Sequence, residues 1–298
     1  MIRKIVGLCL ALGVTPFANA AISSLDLGNY HLSATYNLPG GPASEASAVA
    51  WNRDSGSLFV LGDEGDAIAE VSKTGSLIST MTLSGFDDTE GLTYVGNGKF
   101  VLVEERLQDA YLLSYTAGGS ITRSSLQSVS IGPTTGNTGL EGVSYDPVSG
   151  TFVFVKETNP QAVYEANLNF AAGGNATVSS LFTPALGVAD LSDVQVLSGV
   201  AAGSPDASHL LIFSQESAKL LEVDRSGSVL SMFDFGGLSS NAEGVTIADD
   251  GTIYVVDEGP HLYVLTPNAP VPLPAAAWLL FSGLAGLGAI GRRKQQAA

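Results

Sequence analysis

The chain contains an internal repeat, and a repeat constrains the fold of a chain more than any other feature of its sequence. Each copy opens with a short strand-like segment, passes through a turn, and continues with an apolar run that ends on a glutamate. The opening segments read SAVAW, EGLTY, EGVSY, SDVQV and EGVTI and begin at residues 47, 90, 141, 192 and 243. The apolar runs end at Glu64, Glu105, Glu157, Glu216 and Glu258. One structural unit is therefore predicted to occur five times.

Two further segments complete most copies. A third segment alternates in polarity, as in DAYLLSY and KLLEVD, and a fourth closes the unit, as in SLISTMTL. Four antiparallel strands that recur every 40–50 residues or so are typical of a β-propeller blade. We therefore predict an all-β fold, a five-bladed β-propeller. A six-bladed ring is the alternative if residues 22–40 contain further strands. The last copy lacks its fourth strand, which the segment YHLSATYNL at residues 30–38 is predicted to supply, closing the ring.

Both ends of the chain depart from the repeat. Residues 1–20 combine two basic residues, an apolar run and the small-residue sequence ANA, which is the pattern of a signal peptide cleaved after Ala20. Residues 269–298 combine the sequence VPLP, an uncharged apolar stretch and the basic run RRK. We therefore expect a signal peptide at 1–20, a propeller at 21–268 and a separate C-terminal signal at 269–298.

The segment VPLPAAAWLLFSGLAGLGAIGRRK resembles a PEP-CTERM sorting signal, with Leu273 where the name-giving motif has glutamate. The resemblance implies export, transient anchoring in the membrane through an apolar helix, and processing by an exosortase. It places the expected final location in the periplasm, at the outer surface or in the extracellular matrix. Neutral residues in place of the basic run are expected to impair retention in the membrane.

Between these ends the chain is strongly acidic. All 29 Asp and Glu residues but only 8 of the 13 Lys and Arg residues lie within 21–268, which gives this segment a net charge of −21. Such a charge excludes nucleic acids and anionic membrane surfaces as expected partners and favours metal cations and neutral or cationic ligands. Because Cys9 is the single cysteine and lies in the predicted signal peptide, no disulfide is expected to stabilise the domain.

The stretches DDTEGLTYVGNGKFVLVEER, EASAVAWNRDSGSLFVLGDE and NAEGVTIADDGTIYVVDE resemble the SdiA-regulated (YjiK-like) β-propeller family. The resemblance extends over about residues 42–266 of this sequence. It implies a secreted or periplasmic propeller that binds calcium and has no settled reaction.

Glutamates also stand at the start of three opening segments, at Glu90, Glu141 and Glu243. If each hairpin pairs uniformly about its turn, every one of these residues lies opposite the glutamate that ends the next strand. The pairs are then Glu90 with Glu105, Glu141 with Glu157, and Glu243 with Glu258, while Ser47 and Ser192 face Glu64 and Glu216. Like charges opposed in this way destabilise a sheet unless they are protonated or share a cation.

Carboxylate oxygens without cysteine favour calcium over zinc, and His31, His209 and His261 are scattered along the chain. We therefore predict a Ca²⁺ site with eight candidate ligands: Glu64, Glu90, Glu105, Glu141, Glu157, Glu216, Glu243 and Glu258. A solvated rim of glutamates and a set of catalytic carboxylates are the alternative interpretations.

The predicted function is that of an exported, monomeric, calcium-binding propeller that acts as a binding or scaffolding module at the cell envelope or in an exopolysaccharide matrix. One alternative is a calcium-dependent hydrolase of phosphoesters or lactones, in which Arg106 and Lys156 would help to hold the substrate. Another is a matrix protein whose ion is purely structural.

Overall fold

The structure is a computed structural model that describes residues 25–268. The predicted signal peptide and the predicted sorting signal lie outside these residues. Three short 3₁₀ helices occur among them, at Leu27–Asn29, Arg123–Ser125 and Pro205–Ser208. In this part of the chain, no helix has the length and hydropathy of a membrane span.

Twenty-two strands of residues 25–268 form five sheets, each built on a four-stranded antiparallel blade. After β1 (Tyr30–Asn37), the first blade comprises β2 (Ala46–Asn52), β3 (Ser57–Gly62), β4 (Ala67–Val71) and β5 (Leu77–Ser84). The second comprises β6 (Thr89–Gly96), β7 (Lys99–Glu104) and β8 (Asp109–Ser114) and, beyond β9 (Ser120–Thr122), β10 (Ser128–Ser130). The third comprises β11 (Leu140–Tyr145), β12 (Phe152–Lys156) and β13 (Ala162–Ala166) and, beyond β14 (Gly174–Asn175), β15 (Val178–Phe182). The fourth comprises β16 (Asp193–Val196), β17 (Leu210–Ser214), β18 (Lys219–Val223) and β19 (Val229–Asp234). The fifth comprises β20 (Ala242–Ile247), β21 (Ile253–Asp257) and β22 (His261–Pro267) and takes β1 as its outer strand.

The blades form a closed ring, because the innermost strand of each blade contacts the innermost strand of the next, including β20 with β2. Five apolar clusters lie between neighbouring blades, one at each junction. Each cluster packs the second strands of two blades, which explains why β3, β7, β12, β17 and β21 are apolar along nearly their whole length. The predicted five-bladed propeller is confirmed.

The ring closes as the sequence predicts. Strand β1 pairs antiparallel with β22, from Tyr30 opposite Pro267 to Asn37 opposite His261. The N-terminal segment thus completes the fifth blade. Two features were not predicted: β9 extends the first blade and β14 the second, each as a fifth strand in parallel orientation.

The pairing within the first hairpin of each blade differs from the prediction. Thr89 pairs with Glu104 and Gly91 with Val103, so Glu90 is the extra residue of a β-bulge. The first blade has the same irregularity at Ser47 and the third blade has it at Glu141. In the fifth blade it falls between Ala242 and Val245 and so includes Glu243. In the fourth blade, Asp193 pairs with Phe213, so Ser192 does not face Glu216. The predicted facing pairs are therefore wrong, because uniform pairing leaves no place for the bulged residue.

A glycine follows the bulged glutamate for a steric reason. A Cβ atom at Gly142 would lie 2.7 Å from the Cα of Asp193, and one at Gly244 would lie 2.8 Å from the carbonyl oxygen of Ser47. These atoms belong to the innermost strand of the next blade. In the Glu-Gly sequence, the glycine must be small because two blades touch there. The glutamate before it is the bulged residue.

Candidate metal centre

Five glutamates collect where the innermost strands begin and the second strands end, and we call this set the acidic mouth. Its members are Glu90, Glu105, Glu141, Glu157 and Glu243. Among charged neighbours, Glu243 contributes most to the raised pKa of Glu90, and Glu90 contributes most to the raised pKa of Glu141. The bulges thus bring together side chains that regular pairing would have distributed among separate hairpins.

Three carboxylates of the acidic mouth form the tightest group. Glu105, Glu141 and Glu157 each offer one oxygen, and these oxygens lie within 4.8 Å of one another. The Glu105 Oε1 accepts a hydrogen bond of 2.8 Å from the backbone N–H of Gly139, which orients this side chain. The Glu157 Oε2 is buried and has no hydrogen-bond partner within residues 25–268. A buried carboxylate oxygen without a donor is costly, and a cation would satisfy it.

The pKa values of this group are raised, first of all by burial. Burial, followed by the neighbouring Asp88 carboxyl group, raises the pKa of Glu105 to about 7. Burial and the charges of Glu90 and Glu105 hold the pKa of Glu141 well above its usual value. The pKa of Glu157 is raised by burial and by the charges of Asp190 and Glu216. Placing several ionised carboxylates here is therefore unfavourable unless positive charge accompanies them.

The other two members, Glu90 and Glu243, belong to the second and fifth blades, which lie on either side of the first blade. Burial and the charge of Glu258 raise the pKa of Glu243 to about 8, and burial together with the Glu243 charge holds that of Glu90 well above its usual range. The side-chain amide of Gln215 donates a 2.6 Å hydrogen bond to Glu243 Oε1.

The remaining predicted ligands lie further out. Glu64 and Glu216 are exposed, and Glu64 groups with Glu45 and Asp63 at the surface. Glu258 accepts a 2.7 Å hydrogen bond from the side-chain amide of Asn241. The structure therefore brings five of the eight predicted ligands into the acidic mouth and leaves these three at its edge.

Adjacent carboxylates at the end of β7 have separate roles. Glu104 is fully buried and accepts two hydrogen bonds from Arg123, at 3.1 and 3.2 Å, and one from the backbone N–H of Asp87. Glu105, the next residue, belongs to the acidic mouth. Successive side chains of a strand point to opposite sides, so one glutamate stabilises the blade while the next contributes to the site.

Sequence reasoning missed several carboxylates near the mouth. Asp88 stands two residues before the bulged Glu90, and Asp190 stands two residues before Ser192, the equivalent residue of the fourth blade; this shared offset could have identified them. Asp190 accepts hydrogen bonds from the Ser214 hydroxyl and from the backbone N–H groups of Gln215 and Glu216. Asp193 occupies the position that is glycine in three other blades, and its oxygens accept hydrogen bonds from two backbone N–H groups, of Val194 and Val245.

The two basic residues next to the mouth are already engaged. Arg106 forms ion pairs with Asp88 at 2.9 Å and with Asp87 at 3.6 Å. The Lys156 Nζ donates hydrogen bonds to the carbonyl oxygens of Thr158 and Pro160, and burial lowers its pKa. Neither side chain is free to hold an anionic substrate in this conformation.

A second group with metal-ligand chemistry consists of Asp206, His209 and Glu222. Its polar atoms are occupied: His209 Nδ1 lies 2.8 Å from Glu222 Oε1, and the Ser231 hydroxyl donates to Glu222 Oε2. Asp206 accepts a hydrogen bond from the backbone N–H of Leu25. The group therefore fastens the N-terminal segment to the fourth blade.

Fold and site together define a five-bladed β-propeller with a cluster of carboxylates at the end of its ring of innermost strands. The chain belongs to the SdiA-regulated family, whose profile matches residues 23–266. Among solved structures, it is similar to the glutaminyl cyclase of Myxococcus xanthus, with 12% identity and a TM-score of 0.54 over 80% of this chain and 95% of that one. It is also similar to virginiamycin B lyase from Staphylococcus aureus, with 13% identity and a TM-score of 0.43 over 78% and 69% of the two chains. At these identities the likeness concerns the fold alone.

Proposed function

We propose that this protein is an exported calcium-binding β-propeller that acts as a binding or scaffolding module at the cell envelope or in an exopolysaccharide matrix. The observation that carries the proposal is the group of Glu105, Glu141 and Glu157, which each place one oxygen within 4.8 Å of the other two. The buried, unpartnered Glu157 Oε2 supports a cation at this point. The family and the fold are compatible with this function and do not determine it.

The chemistry of the ligands favours calcium. Hard oxygen donors without thiol or imidazole suit Ca²⁺, which takes six to eight oxygen ligands in flexible geometry. Three carboxylates that can each bind through one or two oxygens supply much of such a shell, and water would complete it. Mg²⁺ requires a more regular octahedron and dehydrates reluctantly, so it fits an irregular set of carboxylates less well.

The location and the partners belong to the same proposal. The sequence patterns at residues 1–20 and 269–298 support export and handling by an exosortase-type enzyme. An exopolysaccharide is a neutral or acidic polymer that calcium would help to bind, whereas the acidity of residues 21–268 disfavours nucleic acid. We expect the domain to be a monomer.

A calcium-dependent hydrolase is the competing function. A phosphoester substrate usually requires several basic side chains beside the metal. Arg106 and Lys156 are the basic residues nearest the mouth, and both are engaged with other groups. This arrangement favours a binding module. Calcium-dependent hydrolysis of p-nitrophenyl phosphate or of an acyl-homoserine lactone, lost on addition of chelator, would establish the hydrolase instead.

Calcium titration of the purified protein tests the cation site. We expect Ca²⁺ to raise the melting temperature, because a site held at 100-fold over its dissociation constant stabilises the folded state by about 2.7 kcal/mol. Glu157→Gln should reduce this gain, whereas Glu216→Gln, at the exposed edge, should leave most of it. A melting temperature that is the same in calcium and in chelator would refute the proposal.

A further inference from the structure

The innermost strands enclose a cavity at the end of the ring opposite the acidic mouth. These strands begin at the mouth, and the residues that line the cavity come from their far ends and the turns that follow, in all five blades. The cavity has a volume of about 130 Å³. A cavity of roughly this size can hold one benzene-sized ring. The space therefore suits a small ligand.

Hydrogen bonds between blades hold the wall of this cavity. The Thr246 hydroxyl accepts a 3.1 Å hydrogen bond from the backbone N–H of Trp51 and donates to the Gln195 side chain at 3.0 Å. The Gln195 side-chain amide donates in turn to the Ser144 hydroxyl at 3.2 Å. These bonds join the first, fifth, fourth and third blades. They hold neutral polar groups in fixed positions around the cavity.

Arg53 lines the cavity and reaches from the first blade to the fourth. A Cβ atom at Gly199, in the turn after β16, would lie 2.5 Å from the Arg53 Nη2. The Arg53 side chain is 43% exposed, and its ion pair with Asp249 at 3.8 Å is too long for a hydrogen bond. The other three arginines of residues 25–268 all donate hydrogen bonds to side chains. The Arg53 guanidinium therefore retains donors for a ligand.

The lining favours a neutral ligand that carries acceptor oxygens. Besides Arg53, Trp51 supplies an indole N–H that is buried and has no hydrogen-bond partner within residues 25–268. Both groups can only donate, so they require acceptors. An anion is disfavoured, because Asp54 and Asp249 stand beside Arg53 and outweigh its single charge.

We propose that this cavity binds one neutral sugar unit, with Arg53 donating hydrogen bonds to the sugar oxygens. The exposed Asp54 carboxylate accepts from a sugar hydroxyl. Sugars also present apolar C–H surface, and the lining includes the aromatic residues Trp51, Tyr94 and Tyr145. The inference rests on the proposed function, since it gives the exopolysaccharide named there a site on this chain. That site is separate from the calcium group.

Ligand-observed NMR titration of the full chain with glucose, galactose, rhamnose and N-acetylglucosamine tests the cavity. We expect at least one of these sugars to bind in chelator, because the cavity lies at the other end of the ring from the calcium group. Arg53→Gln should weaken binding by about tenfold through loss of a charge-assisted hydrogen bond. It should leave the melting temperature unchanged, since an exposed ion pair contributes little. Arg106→Gln is the matched control: its side chain is 47% exposed but lies at the mouth, so sugar binding should stay as in the wild type.

Tryptophan emission tests whether the sugar is in the cavity. The chain has two tryptophans, Trp51 and Trp278, so Trp278→Phe leaves Trp51 as the single emitter. The sugar that binds should change this emission with the dissociation constant found by NMR, and Arg53→Gln should raise that constant. Emission that does not change while the sugar binds would place the sugar elsewhere and overturn the inference.

The remaining outcomes separate this inference from the proposed function. Failure of all four sugars to bind would refute the cavity as a sugar site, and tighter binding of glucuronate than of glucose would assign it to anions instead. Sugar binding that requires calcium and is lost in Glu157→Gln would place the sugar at the acidic mouth, which refutes the inference and leaves the proposed function intact. Sugar binding in chelator by a protein whose melting temperature does not respond to calcium would refute the calcium site alone.

Discussion

At the scale of single residues, the carboxylates of the acidic mouth lie where negative charge is costly. Burial is the largest cause of the raised pKa at each of them, and neighbouring carboxylates add to it. Without a cation, the mouth therefore retains protons at a pH at which an exposed glutamate is ionised. A bound cation would replace those protons and remove the repulsion among the carboxylates.

A pH series in chelator tests this arrangement. A carboxyl group whose pKa is raised by folding contributes stability that is fully present below its unfolded pKa and is lost as the pH rises through its folded pKa. With folded pKa values of about 7 for Glu105 and about 8 for Glu243, the metal-free protein should lose stability between about pH 4.5 and pH 8. The measurement is the urea midpoint at several pH values.

The double variant Glu105→Gln with Glu243→Gln should flatten this dependence, and saturating calcium should do the same in the wild type. If the metal-free midpoint were constant over this pH range, the mouth would be a solvated rim.

At the scale of elements, the bulge at the start of four of the five innermost strands decides where the glutamates lie. It moves Glu90 and Glu141 out of the regular ladder, while the glycine that follows lets the next blade approach. The local sequence Glu-Gly therefore serves packing and site together. A Cβ atom at Gly142 or Gly244 would push two innermost strands apart.

Substitution of one of these glycines tests the close approach. Gly142→Ala places a Cβ atom 2.7 Å from the Cα of Asp193, and overpacking of this kind typically costs about 1–3 kcal/mol. The unfolding free energy in chelator should fall by that amount. Gly136→Ala is the control, because a Cβ at Gly136 meets nothing within 4 Å. Equal effects at the two positions would show that the innermost strands do not touch at Gly142.

The sequence was sufficient to predict the repeat, the five blades and the strand that closes the ring, because each of these follows from a periodic pattern. It was insufficient for the pairing of Glu90 and Glu141, since a bulge adds a residue that turn positions do not reveal. Asp193 was missed because its burial depends on the backbone of the next blade, which donates to it through Val245. The strands β9 and β14 pair with the preceding blade, and short polar segments give no periodic signal of that pairing.

At the scale of the whole molecule, five apolar clusters between blades share the stabilisation of the ring. The junction of the fifth blade with the first also depends on β1, which covers the outer edge of β22. Leu27, at the start of this segment, is fully buried in the cluster between the fourth and fifth blades. The N-terminal segment therefore contacts two blades.

Removal of residues 25–37 tests this dependence. The shortened protein leaves β22 as an unpaired edge and should lose its cooperative thermal transition, because the fifth blade cannot complete its sheet. A synthetic peptide of residues 25–40, added in excess, should restore the transition. The expectation fails if the shortened protein melts at the wild-type temperature without the peptide.

Pairing of β1 with β22 also fixes the order of events during synthesis. Tyr30 is synthesised long before its partner Pro267, so this pairing cannot form until nearly all of residues 25–268 have been made. Until then the blades form an open arc in which the outer face of β22 has no neighbour. Any factor that delays synthesis of the last residues of β22 therefore keeps the ring open. It also delays assembly of the acidic mouth, because Glu243 of the fifth blade cannot take its place until the ring closes.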